Sequence, residues 1–209
     1  MPIKAVIFDL DGTITQPYFD FDAIREEIGL PRDGDPILEA MEHMTPSARR
    51  RAEEILHDCE DRALAASQLN PGARQTLLAL RDLGIRIGVL TRNRKQNAQA
   101  IADKHDLHFD AVVGREDGPV KPDAFGVRHL CEHFGVRPSE TLLVGDYLFD
   151  LQCAKAAGAI GVLIANHPRA SRFAAEADCQ ITQLDELLAI IDGETKVGHG
   201  DCRDGGTYG

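Results

Sequence analysis

The sequence predicts an α/β protein in which a parallel sheet lies between two layers of helices, with a small all-helical segment inserted near its amino end. Three observations predict it. Apolar runs with β-branched residues recur at residues 3–8, 85–90, 111–113, 141–144 and 160–164, each the length of a strand. Their hydrophobicity is continuous rather than alternating, as expected of strands buried on both faces by covering helices. Helical patterns separate them at 72–83, 94–105, 123–134 and 150–157, and a last one at 184–191 closes the set.

The first strand, residues 3–8, runs into Asp9-Leu-Asp11-Gly-Thr13. Neighbouring residues of an extended chain point to opposite sides, so Asp9 and Asp11 can face one pocket. Two carboxylates so close repel, unless a divalent cation binds there or one of them holds a proton. Gly12 permits a sharp turn, and Thr13 is small enough to hydrogen-bond at it.

From residue 15 to 70 the strand rhythm stops and three helical stretches follow one another. Pro36 and Pro46 suit first-turn positions, with Asp35 and Thr45 as N-caps. In the third stretch Ala48, Ala52, Ile55, Leu56, Cys59 and Ala63 form an apolar stripe that needs a partner surface. Arg49, Arg50 and Arg51 read as a solvated face, because Arg49 is in register with Glu53 and Arg50 with Glu54. Candidates to face the pocket from this segment are residues 16–22, Arg25 and Arg49.

The later strands also end in polar residues. After the second come Thr91, Arg92 and Asn93, a hydroxyl and helix-entry amides of the kind that bind anions. Lys121 follows the third strand and precedes Pro122, which opens a helix. Asp146 and Asp150, behind Gly145, form a second acidic pair after the fourth. Ligands of parallel sheets bind at the carboxyl ends of strands, so these residues are expected to converge there.

Composition narrows the partner. A net charge of −11 and a pI near 5.1 disfavour nucleic acid and anionic membrane surfaces, both of which attract cationic patches; a small molecule is expected instead. The apolar runs are too short to span a membrane. The first strand begins at once, which leaves no room for a signal peptide. Five scattered cysteines without framework spacing suit a reducing, cytoplasmic compartment. His129, Cys131 and His133 lack a further ligand nearby and are assigned no function. The Gly-rich stretch 193–209, with His199, Asp201 and Cys202, reads as a flexible tail. Oligomeric state is not written in the sequence.

The order DxDGT, strand-terminal Thr, Lys-Pro and GDxxxD resembles the haloacid dehalogenase (HAD) superfamily, over about residues 1–192. The match is to its phosphoglycolate phosphatase-like branch, with an α-helical cap after the first motif. The resemblance implies a Rossmann-like three-layer core at 1–15 and 71–192 and a cap at 16–70. It implies a Mg2+-dependent phosphatase acting on a small phosphorylated metabolite. Asp9 would be the nucleophile that becomes an aspartyl phosphate and Asp11 the general acid and base. Asp9, the Asp11 carbonyl and Asp146 would hold Mg2+, with Asp150 behind them. Thr91, Lys121 and either Arg92 or Asn93 would hold the phosphoryl oxygens. The sequence leaves that last choice open, because the family often has Asn directly after the hydroxyl. Asp11 argues against dehalogenation, which needs no acid for an alkoxide. The absence of lysine between Lys4 and Lys95 argues against phosphonate cleavage through a Schiff base. A mutase of the same superfamily remains the alternative. A noncatalytic receiver-like module fits less well, because here the acceptor lies on the first strand.

Overall fold

A computed structural model describes residues 2–193; the expected tail beyond them, with His199, Asp201 and Cys202, lies outside the described residues. Six parallel strands form one sheet in the order β3-β2-β1-β4-β5-β6. They are β1 (Ala5–Phe8), β2 (Arg86–Leu90), β3 (Ala111–Val113), β4 (Thr141–Gly145), β5 (Ile160–Ile164) and β6 (Cys179–Ile181). β1 is central and wholly buried. Val6 and Phe8 pack into one apolar layer with Leu77 and Leu80 of α4 (Ala73–Asp82), Ile101 of α5 (Lys95–His105) and Leu187 of α8 (Leu187–Ile191). Ile7 packs into the other, with Leu130 of α6 (Phe125–Phe134) and Ala154 of α7 (Leu148–Ala157). This two-sided burial is why the run is continuously apolar. Gly88 lets α6 close on the sheet, since a Cβ there would meet Phe134 and Leu130 at 3.2–3.3 Å.

The chain moves outward from β1 through β2 to β3, then returns to β4 on the other side of β1. That reversal opens a crevice at the carboxyl ends of β1 and β4. Register brings the two ends level: Phe8 lies opposite Val144, and Asp9 N donates to the Val144 carbonyl at 2.8 Å.

Between β1 and α4 stand three helices, α1 (Phe21–Ile28), α2 (Ile37–Glu42) and α3 (Pro46–Ala66). They share an apolar cluster of their own, built on Ile24, Met41, Ala52, Leu56 and Cys59. Thr45 caps α3 as expected, its hydroxyl accepting from Ala48 N at 3.4 Å with Pro46 next in the first turn. Ala52, Leu56, Cys59 and Ala63 of the expected stripe are buried, whereas Ala48 is exposed.

Two expectations need correction, and two elements add to the reading. Asp35 does not cap α2, whose N-cap is Pro36 without a side-chain bond. Instead its carbonyl accepts from Arg25 at 2.7 Å. Arg25 also binds the Pro31 carbonyl at 2.7 Å and is buried, so it shapes the α1–α2 loop and does not face a pocket. The last helical pattern is a 3-10 turn, Leu184–Glu186, followed by α8. Finally, β6 was not expected, because only Cys179 and Ile181 of its three residues turn inward.

Candidate active site

At the carboxyl edge, Asp9 leaves β1 into the crevice and meets Lys121, whose Nζ lies 2.5 Å from Asp9 Oδ1 and 2.7 Å from Asp150 Oδ1. All three are buried, and Lys121 is 3% exposed. Asp150 sits in the first turn of α7, where its other oxygen accepts from Tyr147 N at 3.2 Å. Asp146 directly follows β4, with its Oδ2 3.1 Å from His167 Nε2. Asp9, Asp146 and Asp150 offer oxygens within 4.8 Å of one another, and among the described residues no other group of three ligand side chains does so.

Two glycines make this crowding possible. A Cβ on Gly12, whose φ is +93°, would stand 2.5 Å from Asp146 Oδ2, and one on Gly145 would stand 2.1 Å from Asp150 Cγ. Only the residue without a Cβ lets backbone and carboxylate approach so closely. The turn carrying Gly12 is locked by Asn70, whose Nδ2 donates to the carbonyls of Gly12, Thr13 and Thr15 at 2.8–3.0 Å.

The electrostatics follow from three carboxylates sharing one lysine. Burial drives the Asp9 carboxyl well above its ordinary range; Lys121 opposes this, and Asp150 and Asp146 add to it. Asp146 is pushed up to about 6, mainly by burial and then by Asp150. Burial alone would lower Lys121, but Asp150 and Asp9 outweigh it and hold the ammonium charged. The uncompensated negative charge and all-oxygen donor set fit a hard divalent cation such as Mg2+.

Asp11 has separate surroundings. Its Oδ2 accepts from Asn93 Nδ2 at 3.1 Å, and burial raises its carboxyl to about 6 despite that bond. Thr91 is buried, and its hydroxyl oxygen accepts from Asn93 N at 3.0 Å. Arg92 points elsewhere: it lies 2.6 Å from Glu39, bonds the Lys121 carbonyl, and stacks 4.9 Å over the Phe149 ring. Asn93, not Arg92, thus reaches Asp11.

Other sequence candidates fall outside the site. Arg49 pairs with Glu53 at 3.0 Å on an exposed face. His129 and His133 are exposed while Cys131 is buried, so their helix separates them.

Sequence reasoning missed Asn70, Asn166 and His167. Asn166 Nδ2 donates to the Gly12 carbonyl at 2.8 Å, so the loop after β5 braces both acidic motifs. A polar pair directly after an apolar strand, at the edge where every other motif lies, was the available signal.

Residues 3–158 match the model of the haloacid dehalogenase-like hydrolase family. A haloacid dehalogenase-like hydrolase domain-containing protein of Arabidopsis thaliana is 31% identical, over 78% of this chain and 71% of its own length. A phosphoglycolate phosphatase of Nitrosospira multiformis is 30% identical, over 91% and 96% respectively. Among solved structures, a HAD phosphatase of Thermococcus onnurineus superposes with a TM-score of 0.67 at 27% identity, covering 91% of this chain and 99% of that one. With the strand order, the acidic crevice and these likenesses together, the chain belongs to the haloacid dehalogenase-like hydrolases and is an enzyme of that family.

Proposed function

We propose that the protein is a cytoplasmic phosphatase that hydrolyses a small phosphomonoester through an aspartyl phosphate formed on Asp9. The observation that carries this reading is that the two motif carboxylates have different partners, an ammonium for Asp9 and an amide for Asp11. Asp9 lies against a charged ammonium, which opposes the upward push of burial on its carboxyl, and a cation bound beside it would favour the ionised, nucleophilic form further. Asp11 is held apart by an amide, at about 6, where a carboxyl can both give and take a proton near neutrality. Mg2+ would be held by Asp9, the Asp11 carbonyl and Asp146. When bound, it supplies the positive charge that offsets carboxylate repulsion and draws in the phosphoryl oxygens.

In the first step an Asp9 carboxylate oxygen attacks phosphorus, the bond to the ester oxygen breaks, and the Asp11 carboxyl gives that oxygen its proton. In the second, Asp11 takes a proton from water as the water oxygen attacks phosphorus. The bond between phosphorus and the Asp9 oxygen breaks, leaving inorganic phosphate and the free Asp9 carboxylate. Donors for the phosphoryl oxygens are at hand. The Thr91 oxygen is used as an acceptor, so its O–H is available, and Lys121 has a third N–H beyond the two given to Asp9 and Asp150. Asn93 adds an amide, and Asp150 orients Lys121.

The helical segment 16–70 would act as a cap over a core made of 1–15 and 71–192, and would exclude water. Similarity to a phosphoglycolate phosphatase puts small phosphorylated acids first among substrates. Buried free cysteines at 59, 131 and 153 suit the cytoplasm.

The test is phosphate release from phosphoglycolate, sugar phosphates and nucleoside monophosphates, with Mg2+ and with EDTA. Release is expected from one class, only with the metal. Asp9→Asn is expected to abolish it with an unchanged circular dichroism spectrum; turnover retained in that variant refutes the nucleophile assignment.

A further inference from the structure

We infer that Glu60 of α3 is a positioning residue, which orients Asn93, and through it Asp11, by clamping the two arginines whose backbones hold Asn93. The inference rests on the acid–base role given to Asp11 above.

Glu60 is only 3% exposed. A buried carboxylate needs a partner, and none comes from its own helix. Arg94 Nε lies 2.8 Å from Glu60 Oε2; Arg115 takes the same oxygen at 3.2 Å and bonds Oε1 as well. Both arginines stand on loops at the carboxyl edge of the sheet, Arg94 after β2 and Arg115 after β3. Arg94 also meets Asp61 at 2.5 Å.

Both arginines grip Asn93 through their main chains. Arg94 N donates to Asn93 Oδ1 at 2.7 Å, and Arg115 N donates to the Asn93 backbone carbonyl at 3.1 Å. The first bond fixes which end of the carboxamide faces away, and so turns Nδ2 toward Asp11 Oδ2 at 3.1 Å. The second fixes the backbone that bears it. Remove the Glu60 charge and two largely buried guanidiniums lose the anion that holds them side by side; like charges then push the two loops apart. Asn93 lies where those loops meet. The helical segment therefore reports its docking to the acid–base residue through one carboxylate, by a route that avoids Lys121 and the Asp9–Asp146–Asp150 cluster.

A double-mutant cycle on the full chain tests this, with para-nitrophenyl phosphate and Mg2+ as the probe. Glu60→Gln keeps the volume and removes the charge. It is expected to lower kcat about tenfold, a share of what general acid–base catalysis contributes, with KM changed less than about twofold because the probe's phosphoryl contacts remain. If Glu60 acts through Asn93, Glu60→Gln with Asn93→Ala is no slower than Asn93→Ala alone. Multiplying effects, or an unchanged kcat in Glu60→Gln, overturn the inference. If the single variant melts early, Glu60→Gln with Arg115→Gln restores the charge balance and replaces it in the cycle. Hydrogen exchange separates this inference from the phosphatase reading. Glu60→Gln is expected to speed exchange at residues 93 and 94 while the β1 and β4 amides stay protected. A wild type that turns over no phosphoester refutes the phosphatase reading, whereas unchanged exchange at 93 and 94 refutes the clamp whatever the activity.

Discussion

Replacing Asp146 by Asn should stabilise the metal-free protein while destroying its activity. In the native state the Asp146 carboxyl sits at about 6 against an ordinary 3.8, because it is buried and faces Asp150. A carboxyl raised by folding takes up its proton in the native state first, so stability falls as pH rises from 3.8 to 6 and stays lowered above. That rise, at about 1.4 kcal/mol per pH unit, is an upper figure of about 3 kcal/mol at pH 8. The amide keeps the shape and loses the charge, though its contact with His167 also changes, so about 2 kcal/mol is the expected gain. For a chain of this size that is about 4–8 °C in Tm. The assay is thermal unfolding in EDTA at pH 8 and pH 5, repeated with Mg2+ at pH 8. The variant should melt higher in EDTA at pH 8, its lead should shrink at pH 5 where the wild type is protonated, and Mg2+ should raise the wild type much more than the variant. An Asp146→Asn protein that melts no higher than wild type in EDTA at pH 8 refutes the picture of a site under electrostatic strain.

Two further outcomes follow from other ion pairs. Lys121→Met leaves Asp9 and Asp150 without their shared cation; a loss of about 3–5 kcal/mol in urea unfolding is expected, together with loss of turnover, and an undiminished midpoint would show that the ammonium is not what holds the two carboxylates. Glu140 is lowered from 4.5 to about 2 by hydrogen bonds from Arg137 and Lys4. Its contribution is therefore present above pH 4.5 and lost as pH falls through 2, so the Tm gap between wild type and Glu140→Gln should be constant from pH 6 to 8 and close between 4.5 and 2.

The sheet was legible where burial is two-sided. β1 and β4 are wholly buried, so their apolar runs carry no competing signal, and the carboxylates that follow them stand out. β6 was illegible because Gln180 faces outward between only two inward residues. Local rules also failed where a distant group intervened. Asp35 had the right spacing to cap α2, but Arg25, ten residues away, holds its backbone elsewhere. The brace from Asn166 to Gly12 joins positions 154 apart, a separation no spacing rule covers, so the role of the loop after β5 is visible only in the folded chain.

The choice left between Arg92 and Asn93 has the same origin, and the directions in which the two side chains point explain how the site stays acidic. Three consecutive residues, Arg92, Asn93 and Arg94, follow Thr91 at the edge of the crevice. Had either arginine turned inward, it would have formed a salt bridge with the aspartate cluster and competed with a cation for the same oxygens. Glu39 draws Arg92 toward α2, and Glu60 with Asp61 draws Arg94 toward α3. Only the neutral member of the three remains turned to Asp11. The acids of the helical segment thus keep two cations away from the carboxylates of the sheet, and the negative charge that Gly12 and Gly145 allow to accumulate stays open to a cation from solution.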